Sequence, residues 1–104
     1  MIVRTWRGLA HRHSETAYLE HLRTDTFPKL SGLAGFLGAS VLKRDCSGGT
    51  EFIVVTRWES IDAIRQFSGS DAEVAVVPTE VRQMMVEYDA RATHYEEVLN
   101  RQPR

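Results

Sequence analysis

The chain has 104 residues, 42% of them apolar and 26% charged, with a formal net charge of -1, the make-up of one soluble globular domain around a single core. That balance excludes nucleic acid as the main partner, since phosphate binding needs a clustered excess of Lys and Arg, and no apolar run approaches the roughly 20 residues that cross a bilayer. A lone cysteine, Cys46, excludes an internal disulfide, and Arg4 and Arg7 stand where a signal peptide would carry its apolar centre, so the sequence predicts a cytoplasmic protein.

Ile2 to Gly8 is rich in β-branched and aromatic residues and reads as a first strand, with Ile2, Arg4 and Trp6 on one face and Val3, Thr5 and Arg7 on the other. Leu9 to His13 connects it to a helix capped by Ser14, with Glu15 in its first turn, and Pro28 is expected to stop that helix at Phe27. Tyr18, His21, Leu22 and Asp25 follow the i, i+3, i+4, i+7 stripe, more polar than a plain core face needs. After a Gly-containing turn, Lys29 to Gly35, the spacing predicts a second strand over Phe36 to Arg44. A hairpin turn at Asp45-Cys46-Ser47-Gly48-Gly49 leads to a third strand over Thr50 to Trp58. Its run Phe52-Ile53-Val54-Val55 predicts burial on both faces.

Ser60 caps a second helix with Ile61, Ile64 and Phe67 on one side and Gly69 at its end. Ser70-Asp71-Ala72-Glu73 has the Ser-x-x-Glu form of a capping box and opens a short turn that Pro78 closes. Thr79 to Val86 reads as a short helix with Val81, Met84 and Met85 inward. Asp89 to Val98, with no turn signal inside it, reads as one long final strand of about ten residues, followed by a tail from Asn100 that should fray.

The order β-α-β-β-α-β is the split βαβ, ferredoxin-like plait of an α+β protein, one domain over 1-104. Its antiparallel sheet carries helices on one face. The other face is apolar here and needs a cover, which predicts a homodimer packed sheet against sheet, with the last strand reaching across.

Val3-Arg4-Thr5-Trp6-Arg7-Gly8, the pair Glu51-Phe52 leading to Trp58-Glu59-Ser60, the run Phe67-Ser68-Gly69 with Ala75-Val76-Val77, and Thr93-His94-Tyr95-Glu96 together resemble the antibiotic biosynthesis monooxygenase family, from about Ile2 to Val98. The resemblance implies two sheets packed as a dimeric α/β barrel. It also implies a range of chemistries, from cofactor-free oxygenation to haem degradation and isomerisation, so that fold alone does not settle function.

Oxygenation without a cofactor uses a substrate that reduces O₂ itself, an enolisable aromatic or polyketide-like molecule turned into its anion. The protein then supplies a general base, a cation or donor for the anion, and a dry aromatic-lined pocket. His94 is the candidate base, because imidazole titrates near neutral pH. Arg4 and Arg57 are candidates to steady the oxyanion. Trp6, Trp58, Tyr18 and Phe67 are candidate walls for a ring, with His21 beside Tyr18 on the polar helix stripe. Each has a plainer reading: His94 bonding across a dimer interface, the arginines paired with Glu51, Glu59 or Glu96, the tryptophans as core anchors.

No metal site is expected. His11 and His13 have no thiolate or acidic companion, and neither a Gly-rich phosphate loop nor a His-Glu-x-x-His pattern is present. Haem-degrading relatives use an axial histidine after the third strand, a tryptophan about ten residues before it and an asparagine on the first strand. Here Asp71 to Val77 has no histidine, the first strand has no asparagine, and Phe67 stands where the tryptophan would be, so haem lacks an anchor. The expectation is a cofactor-independent monooxygenase-like enzyme. The alternative is a non-catalytic small-molecule-binding or interaction module of the same dimeric fold.

Overall fold

A computed structural model describes residues 1-103. Strand β1 (Ile2–Ala10) lies at the centre, antiparallel to β3 (Gly49–Trp58), which pairs in turn with β2 (Phe36–Cys46). The far edge of β1 is shared by two short strands, β4 (Met85–Tyr88) against Gly8–Ala10 and β5 (Thr93–Glu96) against Ile2–Thr5. The spatial order β2-β3-β1-β4 is that of the ferredoxin-like plait the element order predicts. Helices α1 (Glu15–His21), α2 (Phe27–Ser31), α3 (Ile61–Ser68) and α4 (Thr79–Met84) complete it. Among the described residues no helix is long and apolar enough to cross a membrane.

Register decides the two faces. Ile2, Arg4, Trp6 and Gly8 stand opposite Trp58, Thr56, Val54 and Phe52, and since directly paired residues share a face, this set looks towards the helices. Two clusters form there. One gathers Tyr18, Leu22, Phe52, Val81 and Met85, the other Leu30, Trp58, Ala63 and Ile64, and Phe27 packs against both. The opposite face shows Val3, Thr5, Ile53, Val55 and Arg57, with Leu42 and Tyr95 exposed and no element of the chain over it. The double burial expected of the third strand is therefore only half met within one chain: Phe52 is buried, whereas Ile53 and Val55 are half-buried.

Four local expectations are corrected. Pro28 does not stop the first helix. The turn before it, Leu22–Thr26, is wound as a π-helix, with the Phe27 N–H donating to the Leu22 carbonyl five residues back, and Pro28 falls in the first turn of α2. A missing N–H costs nothing in a first turn, and the wider winding removes the clash of the ring with the carbonyl four residues earlier. Of the ten-residue strand expected over Asp89–Val98 only β5 (Thr93–Glu96) forms, and β4 precedes it as a separate strand, with Asp89–Ala92 between them. That interruption pairs with the segment before α4: Ala75 N–H donates to the Ala90 carbonyl (3.1 Å) and Ala92 N–H to the Glu73 carbonyl (2.8 Å). The helix expected to reach Val86 ends at Met84, because the chain must turn extended to pair with β1. At Ser70–Glu73 no capping box forms; Asp71 Oδ1 instead accepts from Glu73 N–H at 3.1 Å. Ser60 caps α3 as expected, its Oγ accepting from Ala63 N–H at 3.1 Å.

Two glycines are set by close approach. At Gly49, with φ 150°, a Cβ would stand 2.2 Å from the Ala10 carbonyl oxygen; at Gly8 it would meet the Trp6 ring at 2.7 Å. A side chain at either position has no room, at Gly49 against the end of β1 and at Gly8 against the Trp6 ring.

On the uncovered face Glu51 accepts from Arg7 Nε and from Arg44 Nε, both at 2.6 Å, and Arg7 also reaches Glu87 at 3.5 Å. Hydrogen bonds from Arg44 and Arg7 pull the Glu51 carboxyl down to about 2. A carboxyl depressed by folding contributes stability that is present above its unfolded pKa, about 4.3, and is lost as pH falls towards about 2. Wild type is therefore expected to lose thermal stability across that window more steeply than Glu51→Gln. Parallel melting curves for the two proteins would show Glu51 uncoupled from folding.

Candidate functional site

Between the two core clusters lies a cavity of about 70 Å³ with mainly apolar walls. The helix side contributes Tyr18, His21, Leu22 and Thr26, the sheet Arg4, Trp6, Val54 and Thr56, and Phe67 with Ala75–Pro78 closes the rest. Alternation and helical period place these groups: Arg4, Trp6, Val54 and Thr56 share the helix-facing side of the sheet, and Tyr18, Leu22 and Thr26 recur at four-residue spacing on the helix. Trp6 is fixed at its indole end, Nε1 donating to the Asp89 carbonyl at 2.8 Å, and tilts over Tyr18 with ring centroids 6.4 Å apart. Burial pushes the Tyr18 phenol up, so at neutral pH it is a neutral donor.

Arg4 is the cation of this site, 5% exposed. Its Nη1 donates to the Ala72 carbonyl and to His94 Nε2 (2.8 Å), and its Nη2 to the Val74 carbonyl (2.8 Å). Its guanidinium carbon lies 5.9 Å from the centre of the Phe67 ring. No carboxylate pairs with it among the described residues, and burial lowers its pKa. Ala72 and Val74 sit on the segment that Arg91 holds from the other side through Asp71 (3.0 and 3.1 Å) and Glu73 (3.0 Å). The chain thus holds a buried, carboxylate-free cation against a cavity wall, an arrangement suited to an anion.

Since guanidinium only donates, His94 Nε2 must accept, which fixes His94 as the neutral tautomer with its proton on Nδ1. Burial, and then the charge of Arg4, lower its pKa, against an opposing pull from Glu73. His94 turns to Arg4 and is not among the cavity walls.

The remaining expected site residues are placed unevenly. Tyr18, His21, Trp6, Phe67 and Arg4 meet around the cavity. Trp58 is fully buried in the core and is not among the cavity walls, its Nε1 donating to Thr56 Oγ1 at 2.8 Å. Arg57 pairs with Val3 and stands on the opposite face of the sheet, 3.5 Å from Ser40 Oγ, away from both Arg4 and His94. The walls from Ala75 to Pro78 carry no chemistry that a sequence reading would select.

His21 has the most open hydrogen bonding. Its side chain is 8% exposed, Nδ1 lies 3.5 Å from Glu80 Oε1 and Nε2 lies 3.7 Å from Asp25 Oδ2, whose partner oxygen bonds Lys29 at 3.0 Å. Among the described residues His21 Nε2 is the one buried side-chain polar atom with no hydrogen-bond partner.

Haem does not fit these residues. The cavity is far smaller than the macrocycle, and the carbonyls of Ala72 and Val74 are held by Arg4 where an anchoring segment would lie. No group of three or more His, Cys, Asp or Glu side chains with metal-binding geometry occurs among the described residues.

The family model for antibiotic biosynthesis monooxygenases matches residues 10–78, well over half of the chain. The chain belongs to that family. Three similar solved structures share its fold. A Bacillus cereus protein described as a candidate antibiotic biosynthesis monooxygenase is 18% identical, with a TM-score of 0.71 over 100% of this chain and 97% of that one. The ActVA-Orf6 monooxygenase of Streptomyces coelicolor, in complex with nanaomycin D, is 17% identical, with a TM-score of 0.63 over 99% and 92%. The heme-degrader MhuD of Mycobacterium tuberculosis, with two hemes bound in its active site, is 20% identical, with a TM-score of 0.61 over 98% and 100%. No curated protein matches the chain.

Proposed function

We propose that this protein is a cytoplasmic, cofactor-independent oxygenase of a small enolisable ring compound, working as a homodimer. The observation that carries the reading is Arg4, a buried cation without a carboxylate, set in the wall of an aromatic-lined cavity. Three of its N–H bonds are engaged, and a guanidinium has five, so two remain for an oxyanion. His94 holds Arg4 in place and is the positioning residue of the pair rather than the base expected from the sequence. Once the enol form of the substrate has lost its hydroxyl proton, the enolate passes one electron to O₂ from the former ring CH₂ carbon. Recombination of the ring radical with superoxide and a proton gives a hydroperoxide, and loss of water leaves a carbonyl at that carbon. The chain's part is to bind the ring, hold the anion and exclude water.

The size of the cavity narrows the substrate. At about 70 Å³ it lies well below the several hundred Å³ of a site for a drug-sized ligand, which favours a single ring over a larger polyketide-like molecule. The same small volume also favours the second reading, a binding module without turnover. Oxygen uptake by metal-stripped protein separates the two, measured against single-ring enolisable diketones and hydroquinones, with anthrones alongside. Uptake with the single-ring compounds supports the oxygenase. Binding without uptake across the whole panel supports the module.

A further inference from the structure

We propose that His21 is the proton acceptor of the cavity and that its ligand is an acidic hydroxy compound bridging His21 and Arg4. The inference rests on the ligand site proposed above and extends it to a named base. His94 is ill suited to that task, because the lone pair of Nε2 is taken by Arg4. His21 offers what His94 lacks: a cavity-lining imidazole whose Nε2 is buried and unpartnered. A buried polar atom without a partner is destabilising, and a ligand hydroxyl at that position removes that cost.

Glu80, whose Oε1 is 3.5 Å from Nδ1, is placed to accept the Nδ1 proton and to balance the imidazolium once it forms, the base-and-orienter arrangement of acid–base catalysis. Such contacts are often long before the ligand is bound. The charged groups facing His21 are Asp25, with its Lys29 partner, and Glu80 from α4; Arg4 and Tyr18 line the same cavity from β1 and α1. The π-helical turn that begins at Leu22 follows directly on His21 and brings Leu22 and Thr26 into the same wall. Proton transfer breaks the ligand O–H bond and forms an N–H bond at Nε2. The electron pair stays on the ligand oxygen, and Arg4 receives the resulting anion. No oxidant enters this step.

The probe is 4-nitrophenol, whose anion is yellow and whose ionisation is read without any turnover. At about one pH unit below its solution pKa, wild type is expected to bind it in the yellow form. His21→Gln is expected to bind it colourless, reducing the bound anion at least tenfold, the loss of about one pKa unit of stabilisation. Glu80→Gln changes an exposed side chain and leaves the fold intact; it is expected to move the onset of yellow binding to higher pH, because the imidazolium loses its neighbouring charge. A bound probe that stays colourless on wild type overturns the proposal. So does a yellow complex that both variants retain. Yellow binding without oxygen uptake sinks the oxygenase and leaves His21 as the base, so the two failures are distinct.

Discussion

Arg4→Met is expected to destabilise the protein by about 2–3 kcal/mol and to abolish binding of anionic ligands. The substitution frees the Ala72 and Val74 carbonyls, and Ala72 is buried. Each orphaned acceptor costs about 1–3 kcal/mol, partly offset because methionine carries no charge to desolvate. The loss falls on the segment Asp71–Ala75, which then depends on Arg91 and the Ala75 and Ala92 backbone bonds. Denaturant unfolding measures the first effect and 4-nitrophenol titration the second. Arg4→Lys separates them: it keeps the charge but not the fork that reaches both carbonyls and His94. A Met variant that keeps wild-type stability within about 0.5 kcal/mol would show that those three hydrogen bonds hold nothing that matters.

Ile53→Glu is expected to convert the proposed dimer into a monomer. Ile53 stands in the middle of the uncovered face, opposite Arg7 and Leu42, with Val55 and Val3 on the same side and Leu42 and Tyr95 exposed at 57% and 58%. In one chain a glutamate there keeps its water and costs little. Packed against a second sheet it would lose that water, a cost of several kcal/mol for an ion left without a paired neighbour. Sedimentation of wild type and variant measures the effect. A wild-type monomer, or a variant that stays dimeric with an unchanged dissociation constant, would sink the sheet-on-sheet assembly.

Much of the fold was legible because its signals are local. Alternation along Ile2–Gly8 set the side of Arg4 and Trp6, Ser60 and Gly69 bounded α3, and hairpin chemistry joined β2 to β3; all depend on residues within a few positions of one another. The family resemblance added what periodicity does not carry. Pro28 misled because the rule for proline assumes a regular α-helix before it, and the π-turn over Leu22–Thr26 removes that assumption. The final segment misled for a different reason. Asp89–Ala92 has no turn signal of its own, and its departure from β1 is bought by pairing with Glu73–Ala75, residues far away in the chain.

The residue types of the site were likewise legible, whereas their grouping was not. The sequence by itself determined a plait of four main strands, a cation and aromatic rings on one side of β1, and a polar stripe with His21 on the first helix. Only the tertiary structure decided that His94 faces Arg4 across β1 and β5, that Arg57 is turned to the other side of the sheet, and that His21 lines the cavity with a buried Nε2 that has no hydrogen-bond partner. The reason is physical: which way a side chain points follows from local backbone geometry, but which groups meet follows from strand register, set by pairings that join residues as far apart as Arg4 and His94.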